Sequence, residues 1–170
     1  MTGHILFRGT IAAALLLAPL AANAAPKKAT ANSSATVLHP LTLVNNQGMD
    51  FGVLSATSAG TAVLDPATGT ISTTGGVLAL GGTPAAALFT GAASGGSVVN
   101  IKLPKQAINL TRVGGTDTIP LSNLTLDGPS KRTMAKSTSF QFHVGGTLTL
   151  GAGQVEGSYV GTFSVTAQYQ

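Results

Sequence analysis

Residues 159–170 alternate between two kinds of side chain without a break. Tyr159, Gly161, Phe163, Val165, Ala167 and Tyr169 fall on one face; Val160, Thr162, Ser164, Thr166 and Gln168 fall on the other. A period of two belongs to a β-strand, whose successive side chains point to opposite sides of a sheet. A helix repeats about every 3.6 residues and cannot present this pattern. A strand that is apolar on one side only is half buried, as in an antiparallel sheet packed on a core through one face. Such an ending requires partner strands and an opposing layer, which the rest of the chain has to supply.

Other segments read the same way. Residues 97–103 alternate, with Val99, Ile101 and Leu103 facing one way. Residues 139–144 place Phe140, Phe142 and Val144 inward and Gln141 and His143 outward, and Gly145-Gly146 is expected to break that strand before residues 147–150. Asp65-Pro66-Ala67-Thr68-Gly69 has the chemistry of a tight turn: proline presets one backbone angle and glycine accepts a positive one. It joins strands at 60–65 and 70–73 into a hairpin. Further strands are expected at 35–38, 41–43, 49–54, 76–80, 86–90 and 118–126, with Asn45-Asn46-Gln47-Gly48 as a turn. Helical periodicity is absent beyond the N-terminal region. The expected fold is all-β, one Ig-like or jelly-roll-like antiparallel β-sandwich over residues 35–170.

Before that domain lies an address. Arg8 and the amino terminus form a weakly positive start, residues 11–22 are apolar apart from Pro19, and Ala22-Asn23-Ala24 is a small-x-small cleavage signal. This is the layout of a secretory signal peptide, residues 1–24, cut between Ala24 and Ala25. The mature chain is expected to pass the periplasm and reach the cell surface or medium, with no membrane span after cleavage. Residues 25–34 read as a flexible N-terminal extension. The chain has no cysteine, so it uses no disulfide despite the compartment that would allow one. Packing and strand pairing must hold it together.

Charge is sparse. Nine basic side chains, less Arg8, leave eight against five acidic ones, a net of +3. They are scattered, apart from Lys131, Arg132 and Lys136, which read as a solvated loop, so a nucleic-acid partner is not expected. The glycine pairs are not followed by a helix and cannot form a phosphate loop. His39 and His143 lack a neighbouring acidic pair, and no serine sits in a Gly-x-Ser-x-Gly elbow. Asp65, Asp117, Asp127 and Glu156 suit turns, and Asp50 has no partner in sequence. No catalytic, metal or cofactor site is expected, and the chain reads as a non-enzyme. The sequons at Asn32, Asn109 and Asn123 read as coincidence.

Pro40-Leu41-Thr42-Leu43, Met49-Asp50-Phe51-Gly52, Asp65-Pro66-Ala67-Thr68-Gly69-Thr70, Thr74-Gly75-Gly76-Val77, Val144-Gly145-Gly146-Thr147-Leu148 and the ending from Gly157 together resemble the bacterial domain of unknown function 4402 family. That resemblance covers nearly all of residues 35–170. It implies a secreted β domain and no assigned activity. The C-terminus also resembles chaperone–usher pilin subunits, which end in an alternating strand with a glycine and a penultimate tyrosine at the places of Gly157 and Tyr169. This implies donor-strand complementation, in which a neighbour's extension completes an unfinished sandwich. The implied contact strand carries Gly157, Tyr159, Gly161, Phe163, Val165, Ala167 and Tyr169. The candidate donor face is Ala29, Ala31, Ser33, Ala35 and Val37. Partners would be copies of the chain or related subunits, with a periplasmic chaperone and an outer-membrane usher. The chain departs from the pilin pattern by lacking cysteine and by offering small donor side chains. The expected function is a secreted structural subunit of a surface filament or pilus-like assembly. The alternative is a monomeric extracellular binding or adhesion module recognising carbohydrate or another surface through loops.

Overall fold

The computed structural model describes residues 27–135 and 139–170. Residues 1–24, expected to be a signal peptide, together with Ala25 and Lys136, lie outside the described residues. The chain divides into two units, Met1–Ala35 and Thr36–Gln170. In the first, residues 27–35 are exposed and form no strand or helix. The strand expected at 35–38 does not form, and residues 27–41 are in no sheet.

The second unit holds eleven strands: β1 (Thr42–Gln47), β2 (Val53–Leu64), β3 (Ile71–Gly81), β4 (Ala87–Ala92), β5 (Val98–Lys102), β6 (Ile108–Arg112), β7 (Thr118–Leu126), β8 (Lys131–Thr133), β9 (Ser139–Leu150), β10 (Tyr159–Val160) and β11 (Thr166–Tyr169). Every pairing is antiparallel. One sheet runs β1-β4-β9-β7-β6-β10, with β2 joined to β9 and β3 to β2; the other runs β11-β5-β8. This is the all-β antiparallel sandwich that the alternation implies.

β9 organises the larger sheet. Its first half pairs with β4, from Ser139 opposite Ala92 to Val144 opposite Ala87. Its second half pairs with β2, from Gly146 opposite Leu64 to Leu150 opposite Gly60. Gly145 and Gly146 stand where one partner hands over to the other, so they do not break the strand as expected. A Cβ on Gly145 would meet the Leu64 carbonyl oxygen and the Pro66 ring. Glycine is required there by close backbone approach, a use that looks identical to a turn in sequence. The Asp65–Gly69 turn forms as expected: Asp65 N–H donates to the Thr70 carbonyl at 3.0 Å and Gly69 N–H to the Asp65 carbonyl at 2.9 Å.

Three buried clusters fill the interior. The first gathers Leu64, Val77, Leu121 and Leu148; the second Phe89, Ile101, Phe142 and Val144; the third Ala93, Val99 and Met134. Phe142 is fully buried and stacks on Phe89 with ring centroids 5.3 Å apart.

Two further expectations are corrected. Asn45-Asn46-Gln47-Gly48 is not a turn, since residues 45–47 complete β1 across a bulge opposite Phe89 and Leu88. Asp50 is not a strand interior: it makes an isolated bridge with Ala85, and its carboxylate accepts the Gly52 N–H at 2.7 Å.

Candidate functional site

The C-terminal segment keeps its alternation but not its pairing. Tyr159, Phe163, Val165, Ala167 and Tyr169 are half buried, whereas Val160, Thr162, Ser164, Thr166 and Gln168 are exposed. Gly161 departs from its face and is exposed. The segment is not one ladder, however. β10 pairs with β6 in the larger sheet, and β11 pairs with β5 in the smaller one. Between them residues 161–165 cross from sheet to sheet, belong to neither, and make no backbone–backbone hydrogen bond among the described residues.

This crossing segment is one wall of a groove. Gly161, Thr162 and Phe163 face Asn45, Gly48 and Met49 across a cavity of about 420 Å³. The floor is apolar, with Phe51, Ala87, Phe89, Leu110 and Leu121. Phe163 closes edge-on against Phe89, centroids 6.2 Å apart. On the far wall β1 pairs with β4 and with no other strand. The groove therefore has a hydrophobic base, one wall, residues 161–163, outside any ladder, and an opposite wall in which β1 is a sheet edge paired on one side only. Unpaired strand edges over apolar surface are the physical signature of a site that takes another strand.

The remaining residues of the expected contact strand frame this region. Gly157 has a φ of +148°, and a Cβ there would lie 2.8 Å from Arg112 Cδ. At Gly161 a Cβ would lie 2.6 Å from Leu110 Cδ2, so glycine lets the segment lie close over β6. The Tyr159 hydroxyl donates to the Val155 carbonyl at 2.6 Å and accepts from Gln154 Nε2 at 2.8 Å, tying down the preceding loop. Ala167 and Tyr169 pack on the third cluster. The Tyr169 hydroxyl donates to the His39 carbonyl and accepts the Ser94 N–H, both at 2.8 Å, and His39 N–H donates to Ser94 Oγ at 2.6 Å. Of the expected donor face, Ala29, Ala31, Ser33, Ala35 and Val37 are all exposed, Val37 at 93%. The fold does not bring them into any strand.

A polar cluster lies elsewhere, and the sequence did not single it out. Asp127, just past β7, accepts Arg132 Nη2 at 2.7 Å and, on its other oxygen, the His143 N–H and Nδ1, both at 2.9 Å. Arg132 is not the solvated loop residue expected of it. It also donates to the Gln141 carbonyl at 2.9 Å and lies 5.7 Å from the Phe142 ring centre. Burial raises the Asp127 pKa, but hydrogen bonds from His143 and Arg132 outweigh it and hold the carboxyl below its ordinary 3.8. Because Arg132 sits on β8 and His143 on β9, the cluster rivets the two sheets together. Among the described residues no three His, Asp or Glu side chains converge to hold a metal ion, and no helix is long and apolar enough to cross a membrane.

Fold and groove together define an all-β sandwich with an open seam between β1 and residues 161–163. The sequence profile of the family described as "Domain of unknown function (DUF4402)" matches residues 41–169, and the chain belongs to that family. No curated protein and no solved structure matches it.

Proposed function

We propose that this protein is an exported structural subunit of a bacterial surface filament or pilus-like assembly, joined by β-strand complementation. The observation that carries the reading is the groove between residues 45–49 and residues 161–163, apolar at its base, with residues 161–163 outside any ladder and β1 an edge strand paired on one side only. A strand inserted there gains main-chain hydrogen bonds on both sides and covers the floor. The donor is the exposed segment bearing Ala29, Ala31, Ser33, Ala35 and Val37, supplied by another copy or a related subunit. Its small side chains bury little area each, at about 25 cal/mol per Å², so most of the specificity falls to the backbone ladder. A signal peptide cut between Ala24 and Ala25 delivers the chain to the periplasm. A chaperone would cover the groove there until an outer-membrane usher passes the subunit to the surface.

A loop-based carbohydrate or adhesion module is the weaker reading, because every described aromatic ring is buried or half buried and the exposed large apolar side chains are Val and Leu. The test is an SDS gel of the native exported protein, with and without boiling, beside negative-stain images. The expected result is a ladder that collapses to one band on boiling, visible fibres, and loss of both when residues 25–36 are deleted from a chain that still shows a β circular-dichroism spectrum. A single monomer band without fibres contradicts the proposal.

A further inference from the structure

The walls of the groove run in opposite directions: His39, ahead of β1, meets Tyr169 at one end, and Gly48 and Met49 face residues 161–163 at the other. A donor segment could therefore be taken from the same molecule only by reversing somewhere in residues 36–41 and running back beside β1. The structure opposes that reversal at one residue. His39 has its N–H held by Ser94 Oγ and its carbonyl by the Tyr169 hydroxyl, while Ser94, itself buried, returns its own N–H to that hydroxyl. A tight turn needs free backbone groups to close on itself, and both of those on His39 are engaged. Pro40 contributes no N–H and holds the residue before it extended. Accordingly the chain makes neither turn nor bend between residues 36 and 41, and Val37 and Leu38 remain exposed.

We infer that Tyr169 and Ser94 form a clasp on His39 that keeps the approach to β1 straight, so that the groove is filled by a second copy and not by the chain's own extension. This rests on the strand-complementation reading and assigns Tyr169 as the positioning residue that sets intermolecular over intramolecular exchange. It also gives Tyr169 a role inside its own subunit.

Because the chain has no cysteine, an introduced pair reports pairing without background. Asn32→Cys and Thr162→Cys, each on the outward face of its segment, are combined in one chain and oxidised with diamide. At about 3.3 Å per strand residue, residue 32 lies within reach of the level of Thr162 whether the strand comes from the same molecule or from a neighbour. With the clasp intact, non-reducing gels are expected to show cross-linked dimers and higher species. Adding Tyr169→Phe, or separately Ser94→Ala, is expected to shift the disulfide at least tenfold toward a fast-migrating, internally linked monomer. Loss of stability alone would lower the yield of both products and would not exchange one for the other. Intermolecular products at an unchanged ratio in both variants, or internal links already dominant with the clasp intact, would overturn the clasp while leaving the groove reading standing. No disulfide in any background would remove the groove reading, and the clasp with it.

Discussion

Asp127 accepts hydrogen bonds from Arg132 on β8 and His143 on β9, so a single carboxylate spans the two sheets. Asp127→Ala leaves the mostly buried Arg132 guanidinium without its carboxylate, at an expected cost of about 1–3 kcal/mol, read by urea denaturation of the monomer. Asp65 and Asp117 are also held below 3.8, the first by backbone N–H groups of Thr68 and Ala67, the second by a hydrogen bond from Arg112. A carboxyl whose folded pKa is depressed stabilises the fold fully above its unfolded value, and that contribution disappears as pH falls through the folded value. The denaturation midpoint is therefore expected to fall steeply below pH 3.8, and Asp127→Asn to show a shallower acid fall than the parent chain. Phe142, fully buried against Phe89, gives the reference core loss: Phe142→Ala is expected to cost about 3–5 kcal/mol. The inward direction of Phe142 was legible from alternation alone. The Asp127 cluster was not, because its three members lie on separate elements and each looks like an ordinary turn or surface residue in isolation.

Among the elements, strand faces were readable and strand extents were not. Val99, Ile101, Phe142 and Val144 are buried as their period of two requires. The 65–69 turn carries its own backbone chemistry and forms in place. Glycine was the main source of error, because its lack of a side chain serves turns and close approaches alike. Gly145 belongs to the second kind, and the atoms around it are backbone and a proline ring that cannot swing aside. Gly145→Ala is expected to destabilise by about 1–3 kcal/mol through overpacking, seen as a lowered thermal midpoint with an unchanged β spectrum. β6 went unnoticed although Ile108 and Leu110 alternate with Asn109 and Thr111; five residues between polar segments give too short a run to stand out. The last strand shows the opposite limit. Its faces follow the alternation, yet its backbone changes sheets at residues 161–165, because hydrogen-bond partners depend on topology and leave no trace in the order of side chains.

For the molecule as a whole, the feature that bears on assembly is the seam between β1 and the C-terminal segment. There the groove of about 420 Å³ lies between residues 161–163, outside any ladder, and β1, an edge strand paired on one side only. The sequence pointed to the C-terminal strand as a contact surface but not to β1 as the opposite wall, since only the folded arrangement brings residues 45–49 beside 161–163. The central claim is that a second strand fills this seam, and hydrogen–deuterium exchange of the isolated subunit and of its boiling-sensitive assemblies measures it directly. Amides of residues 161–165, without backbone partners in the monomer, are expected to exchange at near-unprotected rates there and to slow by more than a hundredfold on assembly. If those amides exchange equally fast in the assembled protein while others become protected, the subunits join through a different surface and the account is wrong.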